Sequence, residues 1–211
     1  MPSYLLTIRE ALTGYRLLDH PFYRRWTRGD LRRDDVREYA AQYRFVERSQ
    51  PAWLTGVRDR LPSGVARTAV ARVLADETDA TASHVDLFDG FAAAIGAPEE
   101  GVPTPATARL IETVDGLVAD GPASGLAALL AYELQSPEVS REKAIGLRAH
   151  YGVDGEGTAF WDTHADLDVR HGAWLLDALD AVGGSVSVAH SAARAAATAW
   201  WGFLDERGQE P

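Results

Sequence analysis

The apolar residues of this chain recur with the period of an α-helix along nearly its whole length, and this constrains the fold most. No segment shows the strict apolar–polar alternation that is typical of half-buried strands. The period predicts one helix starting near Asp34 that Pro51 must kink or break, and others over about residues 4–18, 64–95, 104–119, 123–150, 158–182 and 185–206. Because the intervening loops are short, we predict an all-α fold: about seven helices in one bundle, a single domain over residues 1–211.

Charge and composition exclude several functional classes. The net charge of −10 argues against a nucleic-acid partner, which a basic surface would bind. No run approaches the roughly 20 apolar residues of a membrane span, and residues 1–12 lack the features of a signal peptide. We therefore expect a cytoplasmic protein with no membrane partner. The chain has no cysteine, which excludes disulfides, thiolate metal sites and cysteine nucleophiles.

The basic residues are unusual, because 20 of the 21 are arginine and the remaining one is Lys143. Lysine differs from arginine in being an amine that can lose its proton and act as a nucleophile. Composition alone favours the simpler interpretation that Lys143 is an ordinary surface residue of an arginine-rich chain.

Acids and imidazoles on apolar helical faces carry the chemical signal. His164, Asp168 and His171 are spaced by four and three residues, which places their side chains within roughly 60° on one helical face. Glu77 and His84 are seven residues apart, two turns along one face of the predicted 64–95 helix. Each group alone could be solvated or satisfied within the core.

Glu133 completes the set, because it lies in an apolar stretch where a lone carboxylate is costly to bury. Together the three helices supply three carboxylates and three imidazoles, a ligand set that suits a dinuclear iron or manganese site in a helical bundle. We expect the other histidines, His20, His150 and His190, not to be ligands.

Longer motifs extend the pattern along the chain. They are His20-Pro21-Phe22-Tyr23-x-x-Trp26-x-x-Gly29-x-Leu31, Tyr39-Ala40-x-x-Tyr43, Asp76-Glu77-x6-His84-x-x-Leu87, Gly125-Leu126-Ala127-Ala128-Leu129 through Tyr132-Glu133-x-Gln135-x-Pro137, Arg141-Glu142-Lys143-x-x-Gly146-Leu147, and His164-x-x-x-Asp168-Val169-Arg170-His171. In these motifs the chain resembles the haem-oxygenase-like di-metal oxidases. The resemblance is greatest to the chlamydia protein associating with death domains and its bacterial relatives, which act as 4-aminobenzoate synthases.

The resemblance implies a seven-helix haem-oxygenase-like bundle and a metal centre of Fe/Fe or Mn/Fe. Its ligands would be Glu77, His84, Glu133, His164, Asp168 and His171. Dioxygen and an external reductant would be co-substrates, the electron donor is unknown, and a homodimer is expected.

The resemblance also implies that the enzyme consumes its own side chains. Tyr23 would supply the aromatic ring of 4-aminobenzoate, a folate precursor, and Lys143 would supply its amino group. Tyr132 would pass a radical. The only lysine of the chain thus stands where the resemblance requires an amine.

Two alternatives remain at this point. The same metal centre could act on an external molecule, such as a fatty acid or an amino acid, or the scaffold could be a metal-free binding protein. One departure from the family pattern concerns the segment after Tyr43, where Glu47 and Arg48 are more polar than expected for a pocket wall. If they point inward, access to the site differs from that in relatives.

Overall fold

A computed structural model describes residues 3–79 and 83–208, and these residues form α-helices without a β-strand, as the periodicity predicts. The helical segments outnumber the predicted seven, because several predicted helices are divided. The α-helices are α1 Tyr4–Ala11, α2 Pro21–Arg28, α3 Arg33–Arg60, α4 Val65–Glu77, α5 His84–Ile95, α6 Pro105–Asp120, α7 Pro122–Glu133, α8 Ser136–Gly146, α9 Glu156–Val182 and α10 Val186–Gly208. In these ranges no helix is long and apolar enough to cross a lipid bilayer.

Two of the divisions have local causes in the sequence. The first predicted helix ends at Ala11, and Gly14 follows with a φ of 80°, a left-handed conformation that glycine adopts at little cost. The predicted 123–150 helix divides between α7 and α8, and Pro137 lies in the first turn of α8. Proline is tolerated there because the first N–H groups of a helix have no partner within it.

The prediction of one continuous helix over residues 64–95 is wrong, because α4 ends at Glu77 and α5 begins at His84. Ser83 is the N-cap of α5, and its hydroxyl accepts a hydrogen bond from the backbone N–H of Asp86. By contrast, Pro51 does not end its helix: α3 continues through it to Arg60. The hydrogen bond that proline removes is offset by packing, since α3 is buried against α4, α5 and α6.

The helix α9 organises the interior. It packs against α4, α5, α7 and α8, while α10 packs against α1, α6 and α7. The buried face of α9 carries His164, Asp168 and His171, so these side chains lie where four helices meet. On α10, Trp200 and Phe203 belong to the core and Trp201 is partly exposed.

Candidate active site

All six predicted metal ligands are buried, with exposed fractions of 7% or less. The expectation that Glu77 and His84 share one helical face is wrong. Glu77 is the last residue of α4 and His84 the first of α5, so the break between the two helices turns the side chains toward each other. Nδ1 of His84 lies 2.6 Å from Oε2 of Glu77.

The three residues of α9 converge on the same place, as their spacing predicts. Nδ1 of His171 lies 3.4 Å from Oδ1 of Asp168 and 3.5 Å from Oε1 of Glu77. The rings of His164 and His84 are 4.4 Å apart between centroids.

The donor atoms fall into two overlapping groups, within each of which every pair lies within 4.8 Å. The first consists of Glu47, Glu77, His84 and His164, and the second of Glu77, Glu133 and His171. Glu77 therefore belongs to both. Asp168 belongs to neither and lies beside His171. Glu47 is not among the six ligands expected from the sequence.

Hydrogen bonds around the centre orient two of the imidazoles. Nδ1 of His164 lies 2.7 Å from the backbone oxygen of Phe160, which fixes that nitrogen as a donor and leaves Nε2 with a free lone pair. Nε2 of His171 lies 3.3 Å from Oδ2 of Asp76, so its Nδ1 faces the carboxylates. A histidine ligand held by its other nitrogen is the usual arrangement at protein metal sites.

Unpartnered polar atoms mark the same place. Among the described residues, seven buried side-chain nitrogen and oxygen atoms have no hydrogen-bond partner. Four of them belong to predicted ligands: His84 Nδ1, Glu133 Oε2, Asp168 Oδ1 and His171 Nδ1. The short approach of His84 Nδ1 to the Glu77 carboxylate lacks the angular geometry of a hydrogen bond. Buried polar atoms are rarely left unpaired, and lone pairs that face one another in this way suit a bound cation. The residues present thus fit a metal centre.

The charges of the cluster lead to the same conclusion. Burial raises the pKa of Glu133 well above its ordinary value, and the carboxylates of Asp168 and Glu77 raise it further. Burial lowers the pKa of His164. The site therefore has an excess of buried acid over cationic groups, and divalent ions would favour the ionised carboxylates.

Beside the acid cluster, Lys143 lies on the buried face of α8 and is 0% exposed. Its Nζ has no hydrogen-bond partner among the described residues. Instead, four aromatic rings surround it: the distances from Nζ to the ring centroids are 3.8 Å for Trp161, 4.8 Å for Tyr43, 5.1 Å for Tyr39 and 5.3 Å for Tyr23. The interpretation of Lys143 as an ordinary surface residue is therefore wrong.

The backbone around Lys143 is held by close packing between α2 and α8. The indole N–H of Trp26 donates a hydrogen bond to the Lys143 backbone oxygen, at 3.3 Å. Gly146 makes this approach possible, because a Cβ at that position would lie 2.6 Å from the Trp26 ring. Burial lowers the pKa of Lys143 well below its ordinary value, so its amine retains a lone pair more readily than a surface lysine.

The tyrosines of the interior form two hydroxyl pairs. The hydroxyls of Tyr23 and Tyr39 are 3.1 Å apart, and Tyr43 donates a hydrogen bond to Tyr132 at 2.7 Å. The ring of Tyr132 is also stacked on Trp200, with centroids 4.3 Å apart. The structure thus brings Tyr23 and Lys143 together, and Tyr132 is adjacent in sequence to the predicted ligand Glu133.

The remaining histidines lie outside the two donor groups. His20 is the N-cap of α2 and accepts a hydrogen bond from the Phe22 N–H. His150 Nε2 lies 3.2 Å from the Thr27 backbone oxygen, and His190 borders a surface groove. Glu47 and Arg48 are the two polar residues that depart from the family pattern after Tyr43. Glu47 points inward, whereas the Arg48 side chain is 51% exposed.

Comparison with known proteins places the chain in a family. Residues 37–204, most of the chain, match the family of iron-containing redox enzymes. The chain belongs to that family. The matched segment of this iron-containing redox enzyme includes all six predicted ligands and Lys143, which confirms the resemblance noted in the sequence. The chain is thus an oxidoreductase, and the metal-free alternative loses its support.

Individual relatives cover most of the chain. It is 32% identical to a 4-aminobenzoate synthase of Nitrosomonas europaea, covering 94% of this chain and 88% of that protein. It is 30% identical to a 4-aminobenzoate synthase of Chlamydia pneumoniae, covering 81% and 79%. A domain of unknown function with a heme oxygenase-like fold from Shewanella denitrificans superimposes with a TM-score of 0.79 at 16% identity, covering 94% and 89%. The haem-oxygenase-like fold is therefore confirmed.

Proposed function

We propose that this protein is a 4-aminobenzoate synthase that makes its product from its own side chains. The ring would come from Tyr23 and the amino group from Lys143. The observation that carries the proposal is the position of the Lys143 amine, which is buried without a hydrogen-bond partner and lies 5.3 Å from the centre of the Tyr23 ring. The names of the relatives above agree with this product.

The metal centre would supply the oxidising power for this reaction. We propose Glu77, His84, Glu133, His164, Asp168 and His171 as ligands of two Fe ions or of an Mn/Fe pair. Such a pair, when bound, activates dioxygen with electrons from an external reductant. The phenols beside it are held in the protonated form, because burial raises the pKa of Tyr23 and of Tyr132 above the ordinary value. We propose that Tyr132 passes the radical toward Tyr23, and that the enzyme is a homodimer in the cytoplasm.

The size of the adjoining cavity favours this function over the use of an external substrate. Tyr43, Glu47 and Tyr132 line a cavity of only about 20 Å³, to which Val114 of α6 and Trp200 of α10 also contribute. A volume of this order holds one water molecule. A fatty acid has no room there, whereas Tyr23 and Lys143 are already in place.

Isotope labelling tests the origin of the product directly. Because Lys143 is the only lysine, protein made with lysine labelled by ¹⁵N at Nζ carries the label at one side-chain position. We expect the labelled protein, given iron or manganese, reductant and dioxygen, to release ¹⁵N-labelled 4-aminobenzoate in no more than about one equivalent per chain. Mass spectrometry of the product and of the intact protein measures both quantities.

Two variants and one control complete the test. Lys143→Arg and Tyr23→Phe should each abolish the product and leave metal content unchanged. Arg141→Lys placed in the Lys143→Arg chain restores a lysine on the exposed side of the same helix, and it should not restore the product. Many turnovers on an added substrate by Tyr23→Phe would instead establish the external-substrate function.

A further inference from the structure

Glu47 is a buried acid that the proposed ligand set does not explain. It follows Tyr39 and Tyr43 on α3 at intervals of four residues, so the three side chains share one face of the helix. The residue is only 4% exposed. An isolated carboxylate is costly to bury unless a cation or several hydrogen bonds compensate for it.

Its neighbours on α3 do not provide that compensation. Arg44 and Arg48 lie one turn and one residue away, but both reach outward to Asp89, with nitrogen–oxygen distances of 2.7 and 3.7 Å. Lys143 is an interior cation whose charge acts on Glu47, but it forms no ion pair within 4.0 Å among the described residues. Within that part of the chain, the Glu47 carboxylate also forms no hydrogen bond or ion pair.

What Glu47 does face is the metal centre. One of its oxygens lies within 4.8 Å of donor atoms of Glu77, His84 and His164. Two carboxylates and two imidazoles at such distances form a donor set for one divalent ion. The second group consists of Glu77, Glu133 and His171 and does not include Glu47.

We propose that Glu47 is a seventh protein ligand of the metal centre, bound to the ion held by Glu77, His84 and His164. The inference rests on the metal centre of the proposed function and is independent of its product. Glu47 brings the carboxylates to four, with Glu77, Glu133 and Asp168, and their four negative charges equal the charge of two divalent ions. It also places a ligand on the wall of the 20 Å³ cavity, so the ion next to Glu47 is the one that a small molecule in the cavity reaches.

Metal titration tests the assignment without turnover. Metal-free protein is titrated with Mn²⁺ in the absence of dioxygen, and free Mn²⁺ is followed by electron paramagnetic resonance. We expect the wild-type chain to bind two Mn²⁺ ions. Glu47→Gln should retain one ion with unchanged affinity and bind the other at least ten-fold more weakly. The control Glu38→Gln, an exposed position on the same helix, should titrate like the wild type.

Thermal unfolding separates ligation from a structural role. Removing a carboxylate from a crowded acid cluster should leave metal-free Glu47→Gln at least as stable as the wild type, while the metal-induced rise in Tm becomes smaller. Glu47→Asp keeps the charge on a shorter side chain. It should bind the ion beside this position with an affinity between those of the wild type and Glu47→Gln.

Three outcomes would overturn the inference. If Glu47→Gln binds two ions as the wild type does, Glu47 is not a ligand. If the variant loses stability without metal and keeps both affinities, Glu47 is a charge partner of Lys143. If the wild-type chain binds no Mn²⁺ and no iron, the metal centre of the proposed function fails as well.

Discussion

Lys143 and Arg207 are both cationic side chains buried inside the protein, and their surroundings differ. Arg207, near the end of α10, donates hydrogen bonds to the Phe203 backbone oxygen and to the hydroxyls of Thr104 and Thr107, at 3.0 and 2.7 Å for the hydroxyls. The amine of Lys143 is surrounded by aromatic rings and has no hydrogen-bond partner among the described residues. Burial lowers the pKa of Arg207 to about 10, which leaves it charged at neutral pH, whereas it lowers that of Lys143 well below the ordinary value.

This difference in hydrogen bonding indicates that Arg207 has a structural role and that Lys143 is a reactive amine. The hydrogen bonds of Arg207 connect α10 to the start of α6 and compensate for its burial. Among the described residues, no hydrogen bond or ion pair compensates for the burial of the Lys143 amine, so the position costs stability and leaves a lone pair free for chemistry. A buried lysine without partners therefore indicates function, whereas a buried arginine with partners indicates architecture.

The largest effect on stability is expected for Arg207→Met. The substitution removes the hydrogen bonds that Arg207 donates to the Thr104 and Thr107 hydroxyls and to the Phe203 backbone oxygen, which costs about 2–4 kcal/mol of the free energy of unfolding. Denaturant unfolding of the metal-free protein measures the loss. Metal content should remain unchanged, because Arg207 lies outside both donor groups. A loss below about 0.5 kcal/mol would contradict the structural role of Arg207.

The matched substitution Lys143→Met should act in the opposite direction. Methionine has a similar length and no charge to desolvate, so we expect the metal-free variant to gain about 1–2 kcal/mol at pH 7. The same unfolding experiment gives the value. A variant less stable than the wild type would show that the four aromatic rings stabilise the lysine instead of merely enclosing it.

The smallest expected effect is a change with pH in the free energy of unfolding that Lys143→Met gains over the wild type. Because the pKa of Lys143 is lower in the folded state, the unfolded chain binds more protons, and wild-type stability rises with pH up to the ordinary lysine value of 10.5. The advantage of Lys143→Met should therefore decrease between pH 7 and 9, by at most about 1.4 kcal/mol per pH unit. The Arg207→Met difference should stay flat in this range, since Arg207 titrates only near pH 10. A flat response for Lys143 as well would mean that it keeps its proton.

Much of the site could be predicted from the sequence because its residues are spaced regularly within helices. His164, Asp168 and His171 lie on one uninterrupted helix, so the helical period alone brings them together. Glu77 and His84 do lie together as predicted, but they meet across the break between α4 and α5 and not along one helical face. Neither glycine nor proline separates them, and only Ser83 followed by Asp86 indicates the start of a new helix.

The other differences have equally specific causes. Pro137 was a visible signal for the division between α7 and α8, whereas Pro51 is an equally visible signal that tertiary packing overrides. In the sequence, Glu47 stands out only as a polar departure from the family pattern, because a glutamate between arginines usually lies on a solvated helical face. Its four-residue interval from Tyr43 was the signal that it faces inward. The cage around Lys143 could not be predicted, since its rings come from α2, α3 and α9.

The position of Glu77 in both donor groups has a consequence for how the centre is assembled. The Glu77 carboxylate, at the end of α4, belongs to both donor groups, so in the proposed centre the ion that binds first would fix the carboxylate orientation that the second ion meets. Occupancy of the two proposed positions would then be thermodynamically coupled, and the coupling would be reciprocal. The affinity of one proposed position for its metal would depend on which metal the other position holds, so the composition of the pair would be set by this coupling as well as by the donor atoms.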